Sequence, residues 1–543
     1  MGQRYFFLGW QNLRGCEILM IVKRLVLGFL TLLAIASVFS SLTGSLSEPQ
    51  IQGRLELYQT NLVLYASQLK LEEENGDLNK VISSALGEDP KVTALEKYQE
   101  NRQEAAIAKE NLQTQLNQLP EIITVDNQSD TSLLENKAVK TDLSSQAQQL
   151  QKQIADINKF IDEIDLKQGI LLAKEEKITE ALAIWEQLIT RLDEPDDEYY
   201  QTAGVLTNLW QESPEVSPNS QTIIEDNLDS WFRDQSLEKL YQVSNNQTKL
   251  ALLQEQEQLA AANAFLKLAL ISVIPVLGGF SGVILLIFLV IQLFLKKENS
   301  ILATNSNKTW NTPWNGEITW QVLIVGFFFV GQLMLPFFLR IVGFNVASSG
   351  LRVKALYVLF TYILMAISGI GVLYYSIKTY LPLPQDWFKV KFFDNWIFWG
   401  FGGYLLAIPA VLLVSLINQQ IWQGQGGSNP LLYLALQAQD KVALAILFVT
   451  AAIAAPVFEE IMFRGFLLPS LTRYLSVSTS IVISGLIFAI AHLSLSEVLP
   501  LTVLGIILGT VYTRSRNLLA PMLLHSLWNS GTLLSLFILG SPL

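Results

Sequence analysis

The sequence predicts an all-α protein: a polytopic transmembrane helical bundle of about nine spans, with an inserted helical domain outside the cytoplasm. Three observations predict it. Of the 543 residues, 50% are hydrophobic and 16% charged, which excludes disordered, collagen-like and disulfide-stapled chains and argues against a soluble single domain. The apolar residues gather in runs near the ~20 residues that cross a hydrocarbon core. Charge is segregated as well. Residues 48–263 hold 39 acidic and 18 basic side chains, net −21, whereas the rest holds 9 acidic and 19 basic, net +10.

Residues 1–24 read as a cytoplasmic amino terminus, with Arg4, Arg14, Lys23 and Arg24 ahead of a first apolar run at 25–47. Ser40-Ser41-Leu42-Thr43-Gly44 is a poor small-residue cleavage site, so this run is expected to be an uncleaved anchor rather than a signal peptide. A second span, 264–295, closes on Lys296 and Lys297. Accessory spans at 318–342, 355–377 and 396–417 lie within residues 318–442. A last group at 443–467, 479–493, 498–512 and 518–539 fills residues 443–539, its two middle members short. With the amino terminus inside, Lys296, Lys297, Lys308, Lys378, Lys389, Lys391, Arg464, Arg473, Arg514 and Arg516 share the cytoplasmic side, and no basic residue lies between Asn418 and Asp440. Arg340, Arg352 and Lys354 are the cations of the other side. This topology puts residues 48–263 outside the cytoplasm, and an anchor without a eukaryotic targeting signal suggests a bacterial plasma membrane or an internal photosynthetic membrane. The aromatic residues at 327–329, Trp396 and Trp399 read as lipid-facing or interfacial.

The acidic domain reads as helical at 55–71, 92–119, 143–170 and 239–266, where apolar residues recur near helical spacing. Leu143, Ala147, Leu150, Ile154, Ile157, Ile161 and Ile164 alternate steps of four and three, a short heptad seam for a coiled coil or helical hairpin. The stretch from Gly169 to Trp185 is similar to one tetratricopeptide unit, with Gly169, Ala173 and Ala181 small enough for close helix contact. A single unit is weak, and ordinary helical packing explains it too. Loops are expected around Pro195 and from Glu212 to Asn219. No catalytic constellation stands out here, so a protein partner is the natural role. The single Cys16 excludes an internal disulfide, and an acidic domain with no basic–aromatic block elsewhere excludes nucleic acid.

Chemistry concentrates near the carboxyl end. Both histidines, His492 and His525, fall in the last three expected spans, and Glu459 and Glu460 sit late in the span before them. Ionisable groups at membrane depth are costly and usually face a protein interior. Glu460 and Arg464, at i and i+4, face each other on a helix, while Glu459 points about 100° away and is left free. His525 and Asn529 share a second face, and Phe488 is placed to wall the site or pack His492. A carboxylate, two imidazoles and an amide converging from three helices suffice for water-dependent hydrolysis.

Three motifs then stand in order: Glu459-Glu460-Ile-Met-Phe-Arg464, Phe488-Ala-Ile-Ala-His492 and His525-Ser-Leu-Trp-Asn529. They resemble the EExxxR, FxxxH and HxxxN/D signatures of the CPBP (Abi) intramembrane proteases, which include type II CAAX prenyl endopeptidases and bacteriocin-processing enzymes. The resemblance spans 443–536 and departs at no signature position. It implies that Glu459 activates water with help from His492, that Glu460 and Arg464 orient the site, and that His525 and Asn529 stabilise the oxyanion. It leaves the cofactor open. The family has been described both as metalloproteases and as glutamate-dependent enzymes without an obligatory metal. Glu459, His492 and His525 match a two-His-one-carboxylate zinc set, though no HExxH pair is present.

The expected activity is intramembrane cleavage of a peptide or protein substrate, prenylated or not, in contact with membrane lipid. A non-catalytic scaffold that binds a partner on the same fold is the alternative, and a transporter lacks supporting charges or repeat symmetry in 318–417. Singly, the carboxylates and Arg464 read equally as an interfacial cluster and Asn529 as interhelical glue. One tension concerns depth. His492 lies about 13 residues, roughly 20 Å, from the inner surface, whereas Glu459 is shallow if its helix ends near Arg464. The two agree if that helix runs on towards Arg473 or if 468–478 folds back. Pro469 favours a break or kink, so a buried, amphipathic connection is expected, with the site in a cavity open to the cytoplasmic half.

Overall fold

A computed structural model describes residues 2–46, 50–70, 87, 89–119, 133–341, 346, 349–437 and 440–541, with backbone alone for 2–19, 133–146, 149, 340 and 437. Residues 47–49, at the expected boundary between anchor and acidic domain, lie outside the described residues, as do the side chains of Arg4, Arg14, Cys16, Leu143 and Arg340.

The described residues form helices and no β-strand. In chain order these are α1 Gly2–Ser45, α2 Ile51–Ala66, α3 Pro90–Gln118, α4 Leu133–Lys174, α5 Ile178–Leu192, α6 Glu198–Trp210, α7 Ser220–Asn227, α8 Ser230–Val243 and α9 Gln247–Lys296. They continue with α10 Gly316–Leu339, α11 Leu351–Ile377, α12 Trp396–Trp422, α13 Pro430–Gln437, α14 Lys441–Leu471, α15 Val477–Ile490, α16 Leu495–Ser515 and α17 Leu519–Gly540. Eight of these are long and apolar enough to cross a membrane, and α15 is a shorter apolar helix of 14 residues. The chain is an integral, multi-pass membrane protein, as its hydrophobic runs require.

The chain divides into two compact units, residues 1–46, 274–422 and 426–537, and residues 47–273, 423–425 and 538–543. In the first, α15 packs along α16, α16 on α12, and α10 on α11, while α11 also lies against α14. The core includes Phe327, Phe458, Phe463, Phe466 and Phe488. Phe327 stacks on Phe458 at 6.1 Å and meets Phe463 edge-on at 5.2 Å. Phe327 and Phe328 are therefore buried under the glutamate-bearing helix rather than facing lipid. They satisfy a helix that is apolar all round, which a composition-based reading cannot distinguish from a lipid-facing one.

The helix that carries the carboxylates does run on. Asp440 caps α14 through Val442 N (2.8 Å) and Ala443 N (3.1 Å), and the helix continues through Pro469 to Leu471. Two π-helical segments, Val449–Ala454 and Ile461–Leu467, are set into it. The expected break at Pro469 is absent. A loosened ladder ahead of the ring leaves room for a residue that donates no backbone hydrogen bond. The connection to α15 is short, with Leu468, Pro469 and Ser470 buried and Arg473, Tyr474 and Ser476 exposed. It is not the buried amphipathic re-entry that the depth argument suggested.

In the second unit, α3 and α4 pair as a helical hairpin. Leu150, Ile157 and Ile161 of the heptad seam bury against Ala105, Ala108 and Leu112. The tetratricopeptide-like stretch is a helix–turn–helix formed by the end of α4 and by α5. A Cβ on Gly169 would lie 2.2 Å from Nε1 of Trp185, so only glycine admits the indole, whose N–H donates to Leu166 O at 3.2 Å. Interior charge is paired: Lys167 contacts Glu163 (2.6 Å) and Asp229 (2.8 Å), and Arg191 contacts Asp162 and Asp165.

Candidate active site

Four helices supply the polar groups that gather in the membrane unit. Glu459 and Glu460 lie on α14 between its two π-helical segments. Glu460 and Arg464 are both fully buried, joined at 2.7 Å through Nη1 and Oε1. The guanidinium also donates to Gly505 O at 3.2 Å through Nη2 and sits 4.5 Å over the Phe488 ring. Gly505 can present its carbonyl because α15 and α16 touch backbone to backbone, where a Cβ on Gly505 would fall 2.7 Å from Gly485 Cα. One arginine thus ties three helices together, with the planar fork that such a site needs.

His525, on α17 and 3% exposed, is held at Nδ1 and faces a second carboxylate with Nε2. Its Nδ1 lies 2.9 Å from Glu460 Oε1 and its Nε2 3.8 Å from Glu459 Oε2. The carboxylates do diverge by one residue's rotation, as expected, yet a single imidazole spans both. The other oxygen of Glu459 accepts a hydrogen bond of 2.9 Å from the Tyr362 hydroxyl of α11. Asn529, a turn after His525, donates from Nδ2 to Ala451 O at 2.7 Å, and Ser526 Oγ donates to Ala452 O. Both carbonyls belong to the first π-helical segment. That widened turn gives its carbonyls side-chain partners on α17 and so locks the two helices in register.

His492 is placed differently from expectation. It lies in the turn after α15, not within a span, and the next residue, Leu493, has φ +60°. Its Nδ1 is 2.9 Å from Phe488 O, so the ring caps the helix end, where Gln332 Nε2 also donates to Ala491 O at 3.0 Å. With Nδ1 engaged there, Nε2 remains to act. Phe488 meets the His492 ring at 4.9 Å and the His525 ring at 5.6 Å, edge-on in both cases. It therefore packs both imidazoles.

The structure therefore brings Glu459, Glu460, Arg464 and His525 together, sets His492 against the same phenyl ring, and engages Asn529, one turn further along α17, with Ala451 O. It does not bring Glu459, His492 and His525 into one ligand set: among the described residues no three His, Cys, Asp or Glu side chains are grouped closely enough to hold a metal ion. The Glu460 contact at Nδ1 of His525 would leave Nε2 free for a metal, as carboxylate-backed imidazoles do, so what speaks against a zinc set is the lack of a third donor grouped with these residues, not that contact. Two groups escaped the sequence reading. Tyr362 carries no signal in a single sequence, being an ordinary tyrosine in an apolar run. Glu497 was legible as a lone carboxylate five residues after His492. It accepts a hydrogen bond from Asn429 N at 2.7 Å and lies within electrostatic reach of His492.

The membrane unit thus carries a buried carboxylate–imidazole cluster near its carboxyl end. Residues 441–531 match the family model described as type II CAAX prenyl endopeptidase Rce1-like, so the resemblance carried by the three motifs is shown for that stretch. Two curated relatives are similar to the chain. The membrane-embedded CAAX protease MroQ of Staphylococcus aureus (strain USA300) is 24% identical over 217 residues, covering 39% of this chain and 86% of that protein. YdiL of Bacillus subtilis (strain 168), named as a candidate membrane peptidase, is 25% identical over 134 residues, 25% of this chain and 54% of that one. No solved structure matches the chain.

Proposed function

We propose that the chain is an intramembrane endopeptidase that hydrolyses peptide bonds with water activated at Glu459. The observation that carries this reading is the grip on His525: Glu460 fixes Nδ1, and Nε2 then faces Glu459 across 3.8 Å. That separation is too long for a direct hydrogen bond and suits one water oxygen in contact with both groups. In the proposed reaction Glu459 accepts a proton as the water oxygen bonds to the peptide carbonyl carbon. The resulting oxyanion is stabilised by the second amide hydrogen of Asn529, which Ala451 does not need, and by His525 at Nε2, which must carry a proton for that role because Nδ1 is engaged by Glu460. Collapse of the intermediate breaks the C–N bond, and the proton held by Glu459 passes to the departing amine. His492 assists from the Phe488 side, and Arg464 holds the Glu460 side chain in place. The names of the relatives support a peptide or protein substrate. The loop charges support a cytoplasmic amino terminus with residues 48–263 outside as a partner-binding domain, and the bacterial relatives suit a bacterial plasma membrane or internal photosynthetic membrane.

The test compares membranes carrying the wild-type chain with membranes carrying Glu459→Gln, scoring new protein carboxyl termini by mass spectrometry. Wild-type-dependent termini are expected. A peptide across the commonest cleavage site should then lose at least about 100-fold in turnover with Glu459→Ala or His525→Ala. Identical carboxyl termini in wild type and Glu459→Gln would favour the non-catalytic scaffold instead.

A further inference from the structure

Tyr362 lies on α11, 97 residues before Glu459 and outside the family-matched stretch 441–531. Its hydroxyl donates to Glu459 Oε1 at 2.9 Å, while its ring meets Phe458, the neighbour of Glu459, edge-on at 6.1 Å. Phe458 in turn packs against Phe327 of α10 and would meet a Cβ on Gly369 of α11 at 3.0 Å. The close approach at Gly369 brings α11 near enough for a tyrosine two turns earlier to reach the carboxylate. Around Glu459, α17 contributes His525, its own helix α14 contributes Glu460 and Arg464, and α11 contributes Tyr362. Of these, Tyr362 alone makes a direct hydrogen bond of normal length to the Glu459 side chain among the described contacts.

We propose that Tyr362 is a positioning residue for the hydrolysis at Glu459: it fixes Oε1 so that Oε2 is presented to the water and to His525. The inference rests on the peptidase reading above. A glutamate has three side-chain torsions, and without a second anchor its carboxylate rotates away from the 3.8 Å approach to Nε2. The hydroxyl bond removes that freedom at no change in net charge. It follows that the catalytic unit of this chain extends into the accessory spans, and that residues 441–531 do not hold their own base in position.

The experiment uses the full chain in proteoliposomes and a quenched fluorescent peptide across the commonest wild-type-dependent cleavage site. Tyr362→Phe is expected to lower kcat about tenfold or more with KM unchanged, as for loss of one hydrogen bond to a charged group, and to leave the thermal midpoint of α-helix loss in place. In a Glu459→Asp background, where the shortened carboxylate no longer reaches the hydroxyl, Tyr362→Phe should add less than about a twofold effect. Unchanged kcat in Tyr362→Phe, a change confined to KM, or a loss of activity matched by loss of folded protein would each overturn the inference. Failure of the peptidase reading looks different: no wild-type-dependent cleavage, or cleavage unaffected by Glu459→Gln, removes both claims at once.

Discussion

Removing Arg464 from its buried site tests whether that site is held by charge. Arg464 and Glu460 are both 0% exposed, and Oε2 of Glu460 and Nε of Arg464 have no partner. Arg464→Met leaves Glu460 with only the His525 contact, and stranding a buried charge costs about 3–5 kcal/mol. Glu460→Gln strands the guanidinium and should cost a similar amount. The double variant strands neither, so it is expected to be more stable than the sum of the singles by at least about 2 kcal/mol. Arg464→Lys keeps the charge, loses the Gly505 bond and the planar stack on Phe488, and should cost about 1–2 kcal/mol. The assay is the fraction of full chain that stays monodisperse in mild detergent after heating. The expected order is wild type, Arg464→Lys, double variant, then the two singles. Additive losses in the double variant would refute the argument, because the two side chains would then act independently.

Further perturbations probe packing and charge. Gly505→Ala places a methyl 2.7 Å from Gly485 Cα, against about 3.5–4.0 Å for ordinary carbon contacts. It should part α15 from α16 and cut both folded yield and cleavage. Gly204→Ala, with nothing within 4 Å, should be neutral or stabilise by about 0.5–1 kcal/mol. In the acidic unit, burial raises Glu104, helped by Glu100 and Glu56 against Lys97. Burial also raises Asp162 in spite of the hydrogen bond and charge of Arg191. A raised carboxylate binds its proton more tightly folded than unfolded, so stability falls as pH rises from the unfolded value, about 4, through the folded one. Hydrogen-exchange protection across 90–119 and 150–192, corrected for intrinsic rates, should therefore be higher at about pH 5 than at about pH 7. Glu104→Gln should flatten part of that slope, and protection that rises with pH would contradict the assignment.

Much of this was legible in the chain itself because membrane burial writes large signals. Apolar runs near ~20 residues marked the spans, and rare ionisable groups marked the site: Glu459, Glu460, Arg464 and His525 do meet. Gly169 was correctly read as making room, for Trp185. What escaped had no local signature. Tyr362 reaches Glu459 only through tertiary packing, and Phe327 is buried by α14 although its own segment looks lipid-facing. The short helices α6 to α8 hold too few turns for periodicity to stand out. His492 slipped out of its span because Ser476 starts α15 early, capping Thr479 N at 3.1 Å, and the helix is complete by Ile490.

The wide turns of α14 carry a consequence for chain length. Each π-helical segment accommodates one residue beyond ordinary α-helical pitch. Deleting a single residue within 449–454 would let the turn close to that pitch with Glu459 still facing His525, whereas the same deletion in an α-helical stretch of α14 would swing everything downstream by about 100° with no side chain altered. Along this stretch the number of residues counts for as much as their identity: a one-residue gap against a related chain keeps the setting of the base when it falls in a wide turn and changes it when it falls between them.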